Sequence, residues 1–139
     1  FNANPVSAVA GATCLEMIAA QPINQQADAM AARLKAGFNE IFGKMEVAGH
    51  AHGVASMIHL VMADCDCDRD ICTMPHKKIS EAMASPAVTA LKRQLQNSGV
   101  DMIGRDGFLV SGVHTEREVD QTLEAFEGTL AAIRAEGLL

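Results

Sequence analysis

The fold is decided by residues 108–126, which read FLVSGVHTEREVDQTLEAF. The apolar start of this stretch predicts a strand over Phe108–Val113. Thr115 and Glu118 then form a capping box, in which each side chain accepts a hydrogen bond from a free backbone N–H at a helix start. Apolar residues recur behind the box at helical spacing: Val119, Leu123, Phe126, Leu130 and Ile133. The stretch therefore predicts a strand followed by an amphipathic helix, which Gly137 ends.

The sequence before this stretch supplies the other predicted strands. Val100–Ile103 and the Phe108 strand flank Gly104–Gly107, whose glycines suit the turn of an antiparallel hairpin. Val54–Ala63 is apolar on both alternating faces, which predicts an internal strand. Gly49–Gly53, just before it, reads as a turn.

Helices are predicted over the rest of the chain. Asn4 as the cap and Pro5 at the first helical position start a helix over Pro5–Ala20. A second helix starts at Pro22 and carries one apolar stripe: Ala27, Met30, Leu34, Phe38, Ile41 and Met45. Gly37 lies inside this helix, where it indicates close packing.

Two further helices are predicted over Lys78–Ala84 and, after a Ser85–Pro86 cap, as far as Asn97. These elements predict residues 1–139 to be one α+β domain, a two-layer sandwich in which helices cover a small, mainly antiparallel sheet of about three strands.

Composition excludes several classes of function. The chain has 139 residues, with 11 Lys and Arg against 17 Asp and Glu, a net charge of −6. This acidic balance and 4% aromatic content argue against a nucleic-acid partner. No apolar run is long enough to span a bilayer, and the start lacks the pattern of a signal peptide. We therefore expect a cytoplasmic protein with no membrane partner.

The four cysteines, Cys14, Cys65, Cys67 and Cys72, are expected to be reduced thiols. Cys65, Cys67 and Cys72 fall close to His76, and thiolates with an imidazole suit zinc. Structural zinc sites usually have a second pair of ligands elsewhere in the chain, which is missing here, so this set is kept only as an alternative and no metal is assigned.

The histidines show no known catalytic spacing, and no nucleophile elbow or phosphate-binding glycine loop occurs. His59 is predicted to be a packed, hydrogen-bonded core residue on a strand face. His114 precedes the capping box and is predicted to shape the turn there.

Several stretches together resemble a known enzyme family. They are Phe1–Ala8, the Leu91–Lys92 to Gly99–Val100 segment, and Phe108–Asp120 with Thr122–Phe126. They are similar to the C-terminal part of class III pyridoxal-phosphate (PLP) aminotransferases, especially the glutamate-1-semialdehyde aminomutase-like branch. The resemblance covers nearly the whole chain.

The resemblance implies the small domain of a PLP fold type I enzyme. The Schiff-base lysine and most phosphate contacts would lie in a catalytic large domain upstream of Phe1, so this chain would hold no catalytic residue, bind no PLP alone and be inactive alone. Phe1, Asn2 and Asn4 would lie at the margin of the substrate and cofactor site. The full-length enzyme would bind PLP, act on a small-molecule amino donor and acceptor, and form a homodimer. The lysines present are expected to be solvated: Lys35, Lys44, Lys77, Lys78 and Lys92.

The short turn Asp101–Gly107 favours a plain transaminase, because aminomutases of this branch usually carry a longer segment there. Two other functions stay open from the residues alone. One is a stand-alone binding or regulatory domain that uses the loop from Cys65 to His76, the cysteine loop, for metal or redox sensing. The other is a dimerisation module that associates through an exposed apolar first helix.

Overall fold

The protein is described here from a computed structural model, which covers residues 4–65, 67, 70–104 and 106–139. Those residues form five helices and three strands. In chain order the elements are α1 Pro5–Ala20, α2 Ile23–Lys44, β1 His50–His52, β2 Met57–Val61, α3 His76–Met83, α4 Pro86–Asn97, β3 Gly107–Leu109 and α5 Glu116–Ala135. The predicted α+β class with a small antiparallel sheet is confirmed.

The sheet has the order β1-β2-β3, and both pairs of neighbours are antiparallel. His50 stands opposite Val61, and Ile58 stands opposite Phe108. The strand predicted over Val54–Ala63 is β2. Its predicted internal position is confirmed, since it lies between β1 and β3, although it spans only Met57–Val61.

Two predictions about the sheet are wrong in detail. The predicted turn at Gly49–Gly53 contains β1, and only Gly53, at φ 136°, has the positive φ of a turn glycine. Val100–Ile103 contributes a single bridge, between Ile103 and Gly107. The backbone of this segment is hydrogen-bonded to α4 instead. The Val100 N–H donates to Leu95 O at 2.9 Å, and Lys92 Nζ donates to Met102 O at 3.1 Å.

The core lies where α2 meets the sheet and α5, with α4 packed on the other side of α5. Phe38 and Phe126 are both fully buried, and their ring centroids are 4.6 Å apart in an edge-to-face arrangement. A Cβ on Gly37 would overlap the side chain of Leu123. The close packing predicted at this glycine is therefore confirmed, and it brings α2 and α5 together.

The predicted helix starts are confirmed at three of the helices. Asn4 Oδ1 accepts from Val6 N at 3.0 Å, and Ser85 Oγ accepts from Val88 N at 3.3 Å. The capping box of α5 is complete, and the Thr115 N–H donates to Glu118 Oε2 at 2.8 Å. The hydrogen bond from the Thr115 side chain, followed by that from Arg117, lowers the pKa of Glu118 to about 2. Helix α3 begins at His76, two residues before its predicted start.

No single helix in the described part of the chain is long and apolar enough to cross a membrane; α1 and α2 meet these criteria only when taken together, as a pair bent by 74°.

Candidate functional site

Four metal-ligating side chains meet at the end of the sheet where β2 runs into the following loop. We call them the Cys–His cluster; they are His50, Cys65, Cys67 and Cys72. One candidate ligand atom from each residue lies within 4.8 Å of all the others. His50 opens β1 opposite Val61, the last residue of β2. Strand pairing therefore brings His50 beside the start of the cysteine loop.

The imidazole of His50 is buried and unpartnered. Its residue is 9% exposed, and neither ring nitrogen has a hydrogen-bond partner within the described residues. Burial lowers the pKa of His50, which favours the neutral ring. A neutral imidazole with a free nitrogen is the form that ligates a metal. No described residue offsets the desolvation cost of these two buried nitrogens with a hydrogen bond.

The cysteines bring three sulfur atoms to this imidazole. Cys65 and Cys67 are joined by a disulfide, with Cα atoms 5.3 Å apart, so these two differ from the expected reduced thiols. Cys72 is a free thiol whose Sγ lies 3.7 Å from Cys67 Sγ. The backbone N–H of Thr73 donates to Cys67 Sγ at 3.2 Å. Cys14 is free and exposed on α1, away from the cluster.

The candidate metal set from the sequence is brought together only in part. Its three cysteines converge, but His76 is exposed as the first residue of α3 and lies outside the cluster. His50 takes its place. Sequence spacing favoured His76, which is four residues from Cys72, whereas His50 reaches the cysteines only through the pairing of β1 with β2.

The cysteine loop is tied to the domain at Asp70. The Gly53 N–H donates to Asp70 O at 3.2 Å, and Lys35 Nζ donates to Asp70 Oδ1 at 2.5 Å and to Gly53 O at 2.9 Å. The side chain of Lys35 is only 19% exposed, so the expectation of a solvated surface lysine is wrong at this position. The contact fixes the loop between α2 and the turn after β1.

Two further histidines extend from the cluster across the sheet. The His52 ring centroid lies 5.2 Å from that of His50 and 5.7 Å from that of His59. Burial, followed by the charges of its two histidine neighbours, lowers the pKa of His52. His59 Nδ1 lies 3.3 Å from Asp106 Oδ2. His59 is hydrogen-bonded as predicted, but it is half-buried and not a core residue.

A separate open groove of about 850 Å³ lies between α5, β3 and the turn after α4. The charged groups on its described walls are the carboxylates of Asp101, Glu118 and Glu124, and no Lys or Arg is among those residues. An acidic groove of this kind does not suit a phosphate. Nearby, His114 Nδ1 accepts from Ser111 N at 2.9 Å, which confirms that this histidine shapes the turn before α5.

The other four lysines of the chain are exposed or engaged within the domain. Lys92 is engaged by Met102 O and Gly104 O, and Lys44 by Glu127 at 2.6 Å. Lys77 and Lys78 are exposed in the first turn of α3. None of these lysines lines the groove.

The residues that the resemblance placed at the cofactor margin lie at the start of the chain. Phe1 and Asn2 are outside the described residues. Asn4 is exposed, and its side chain caps α1 by accepting from Val6 N and Ser7 N. The observed role of Asn4 is therefore structural.

Helix α1 is apolar on every side and covered on none. Its sequence, PVSAVAGATCLEMIAA, contains one charged residue, Glu16, and none of its residues is buried. Val9 and Leu15 are 66% and 69% exposed. Helices that are apolar all round are normally found inside larger proteins or in membranes.

Comparison with solved structures finds the same fold in PLP-dependent enzymes. An omega-transaminase from Sphaerobacter thermophilus has a TM-score of 0.75 and 22% identity, over 95% of this chain and 29% of that one. A transaminase with PLP bound has a TM-score of 0.65 and 18% identity, over 82% and 24%. A glutamate-1-semialdehyde-aminomutase from Pseudomonas aeruginosa PAO1 has a TM-score of 0.67 and 13% identity, over 80% and 23%.

These similarities establish the fold of the chain. The chain spans less than a third of the length of each of these three solved proteins. No family model matches the chain, and no curated protein matches it.

Proposed function

We propose that this chain is the small domain of a PLP-dependent enzyme of the class III aminotransferase family, which transfers an amino group between small molecules. Helix α1 carries the proposal, because it is apolar all round yet has no buried residue. The solved enzymes of this fold are more than three times the length of the matched region. A large domain preceding this chain would supply the body against which α1 packs.

In this proposal the chemistry is divided between two domains. PLP supplies the electron sink when it is bound, and the protein supplies a lysine, charge partners and orientation. The lysine and the phosphate contacts belong to the large domain, since the described lysines of this chain are exposed or engaged elsewhere. The small domain closes the active site, and Phe1, Asn2 and Asn4 lie at its margin.

A plain transaminase is the reaction that we favour over an aminomutase. Asp101–Gly107 is short, and the bridge between Ile103 and Gly107 closes it around Gly104, which has φ 64°. A turn of this length lacks the longer segment that the aminomutase branch usually carries, which supports the choice of a plain transaminase. We extend the proposal to a cytoplasmic homodimer that acts on a small-molecule amino donor and acceptor, without nucleic-acid or membrane partners.

Borohydride trapping tests this division. The 139-residue chain is incubated with PLP, reduced and mapped by mass spectrometry, in parallel with the longer protein from the same reading frame. We expect the chain to show only background labelling spread over exposed lysines such as Lys77 and Lys78, at the level seen for the chain unfolded in urea. The longer protein is expected to carry one label per chain, at a lysine upstream of Phe1.

One label per chain at a single lysine of the 139 residues, abolished when that lysine is replaced by arginine, would overturn the proposal. So would a longer protein that shows no label above background.

A further inference from the structure

We propose that His50, Cys65, Cys67 and Cys72 form a tetrahedral zinc site when the Cys65–Cys67 disulfide is reduced. This inference does not depend on the proposed transaminase function. It rests on the convergence of the four side chains and on the buried, unpartnered imidazole of His50.

The spacing of the ligand atoms suits a single cation. Zinc–sulfur bonds are about 2.3 Å long, so two thiolates on one tetrahedral zinc lie about 3.8 Å apart. Cys67 Sγ and Cys72 Sγ are 3.7 Å apart. All four ligand atoms lie within 4.8 Å of one another, a separation that small side-chain rotations can close onto one cation.

The ligand types also suit zinc. Three thiolates and one imidazole make up a common structural zinc set. His50 is nine-tenths buried and neither of its nitrogens is hydrogen-bonded to a described residue, so the ring can bind a metal without giving up a hydrogen bond to any of them. The Thr73 N–H already donates to Cys67 Sγ, an interaction of the kind that stabilises a metal-bound thiolate.

Contacts within the domain hold described residues on both sides of the cluster. His50 is held by the pairing of β1 with β2. The cysteine loop is held where Asp70 meets Gly53 and Lys35. Because both supports belong to the domain itself, the site needs only a local change at the Cys65–Cys67 pair.

The chemical steps are balanced as follows. A dithiol reduces the Cys65–Cys67 disulfide, so that the S–S bond breaks, two thiols form and the reductant becomes a disulfide. Zn²⁺ then binds three thiolates and the neutral imidazole, and three protons are released from the cysteines. The zinc is not oxidised or reduced, and the loaded site has a net charge of −1. The oxidised pair leaves Cys72 as the only free thiol of the cluster, so binding depends on the redox state of the loop.

Zinc binding by the 139-residue chain tests the site. The protein is reduced with a phosphine, which becomes a phosphine oxide and offers no competing thiol, and is then titrated with Zn²⁺ against a chelating indicator. We expect one zinc per chain after reduction and little binding before it. Co²⁺ in place of Zn²⁺ is expected to give the intense visible bands of a tetrahedral, thiolate-bound ion.

Substitutions identify the ligands. We expect Cys72→Ser and His50→Ala each to weaken zinc binding by about tenfold or more, since each removes one of four ligands. Cys14→Ser and His76→Ala remove the same residue types outside the cluster, and we expect them to bind like the wild type. Circular dichroism checks that each variant is folded, and the half-buried loop position of Cys72 keeps the test valid if His50→Ala does not fold.

Three results would overturn the proposal. They are a folded, reduced wild-type chain that binds no stoichiometric zinc, zinc binding that survives Cys72→Ser, and zinc binding that is lost in His76→Ala but retained in a folded His50→Ala.

Discussion

Replacing Phe126 by alanine is expected to lower the free energy of unfolding by about 3–5 kcal/mol. Phe126 is fully buried at the contact of α5 with α2. Its ring centroid lies 4.6 Å from that of Phe38 and 5.3 Å from that of Phe42, both in edge-to-face arrangements. The substitution leaves a cavity beside the rings of Phe38 and Phe42 and removes both ring contacts. Urea unfolding followed by circular dichroism measures the loss.

Two variants make this result interpretable. Glu124→Ala changes an exposed position on the same helix and is expected to stay within about 0.5 kcal/mol of the wild type. Phe126→Leu retains much of the buried volume and is expected to lose less than the alanine variant, so it remains measurable if Phe126→Ala does not fold. A loss below about 1 kcal/mol for Phe126→Ala would contradict the packing of α5 described above.

The second large effect that we expect concerns self-association of the chain through helix α1. We expect the isolated 139-residue chain to self-associate, because α1 exposes apolar side chains on all sides. Replacing Val9 and Leu15 together by glutamine is expected to weaken that association by about tenfold or more, since burying each of these side chains is worth about 1.5–3 kcal/mol. The free energy of unfolding should change by no more than about 0.5 kcal/mol, because neither side chain is buried in the domain.

Light scattering over a range of concentrations measures the association, and urea unfolding measures stability. The matched control is Val113→Gln with Leu109→Gln, which changes two exposed apolar residues outside α1 and should leave association intact. A wild-type chain that stays monomeric at high concentration would contradict the prediction that the exposed apolar side chains of α1 drive association. A glutamine variant destabilised by several kcal/mol would show instead that α1 packs on the domain.

Local sequence signals were sufficient for the helices. The cap residues Asn4, Ser85 and Thr115 act within a few positions of themselves, so the residues that start a helix also identify it. The apolar stripe of α5 was readable for the same reason, because helical periodicity is a local pattern. Four of its five predicted members are buried: Val119, Phe126, Leu130 and Ile133. Leu123 is only partly buried, and Thr129, which the spacing did not indicate, is buried as well.

The short strands were harder to predict because partners distant in sequence stabilise them. β1 is the tripeptide His50–His52 between two glycines, which reads as a turn until β2 is placed beside it. Val100–Ile103 has a strand-like composition, yet its backbone groups are drawn to α4 by Leu95 and Lys92. Hydrogen bonds to a neighbouring element outweigh local propensity in both places: to β2 for the first segment, and to the end of the preceding helix α4 for the second.

The same limit applied to the Cys–His cluster. The cysteine spacing is visible in the sequence. However, the nearest histidine along the chain, His76, lies outside the cluster, and His50 joins the cysteines instead. His50 precedes Cys65 by fifteen positions and reaches it through the register of β1 and β2. A buried histidine in the edge strand β1, without a hydrogen bond to any described residue, is a signal that emerges only once the pairing with β2 is known.

The most direct test of the central claim is to read the source DNA upstream of the codon for Phe1. If this chain is the small domain of a PLP-dependent transaminase, the reading frame continues upstream into a large domain that contains the Schiff-base lysine. A start codon directly before Phe1 would contradict the claim, because the domain would then stand alone without the lysine that amino transfer requires.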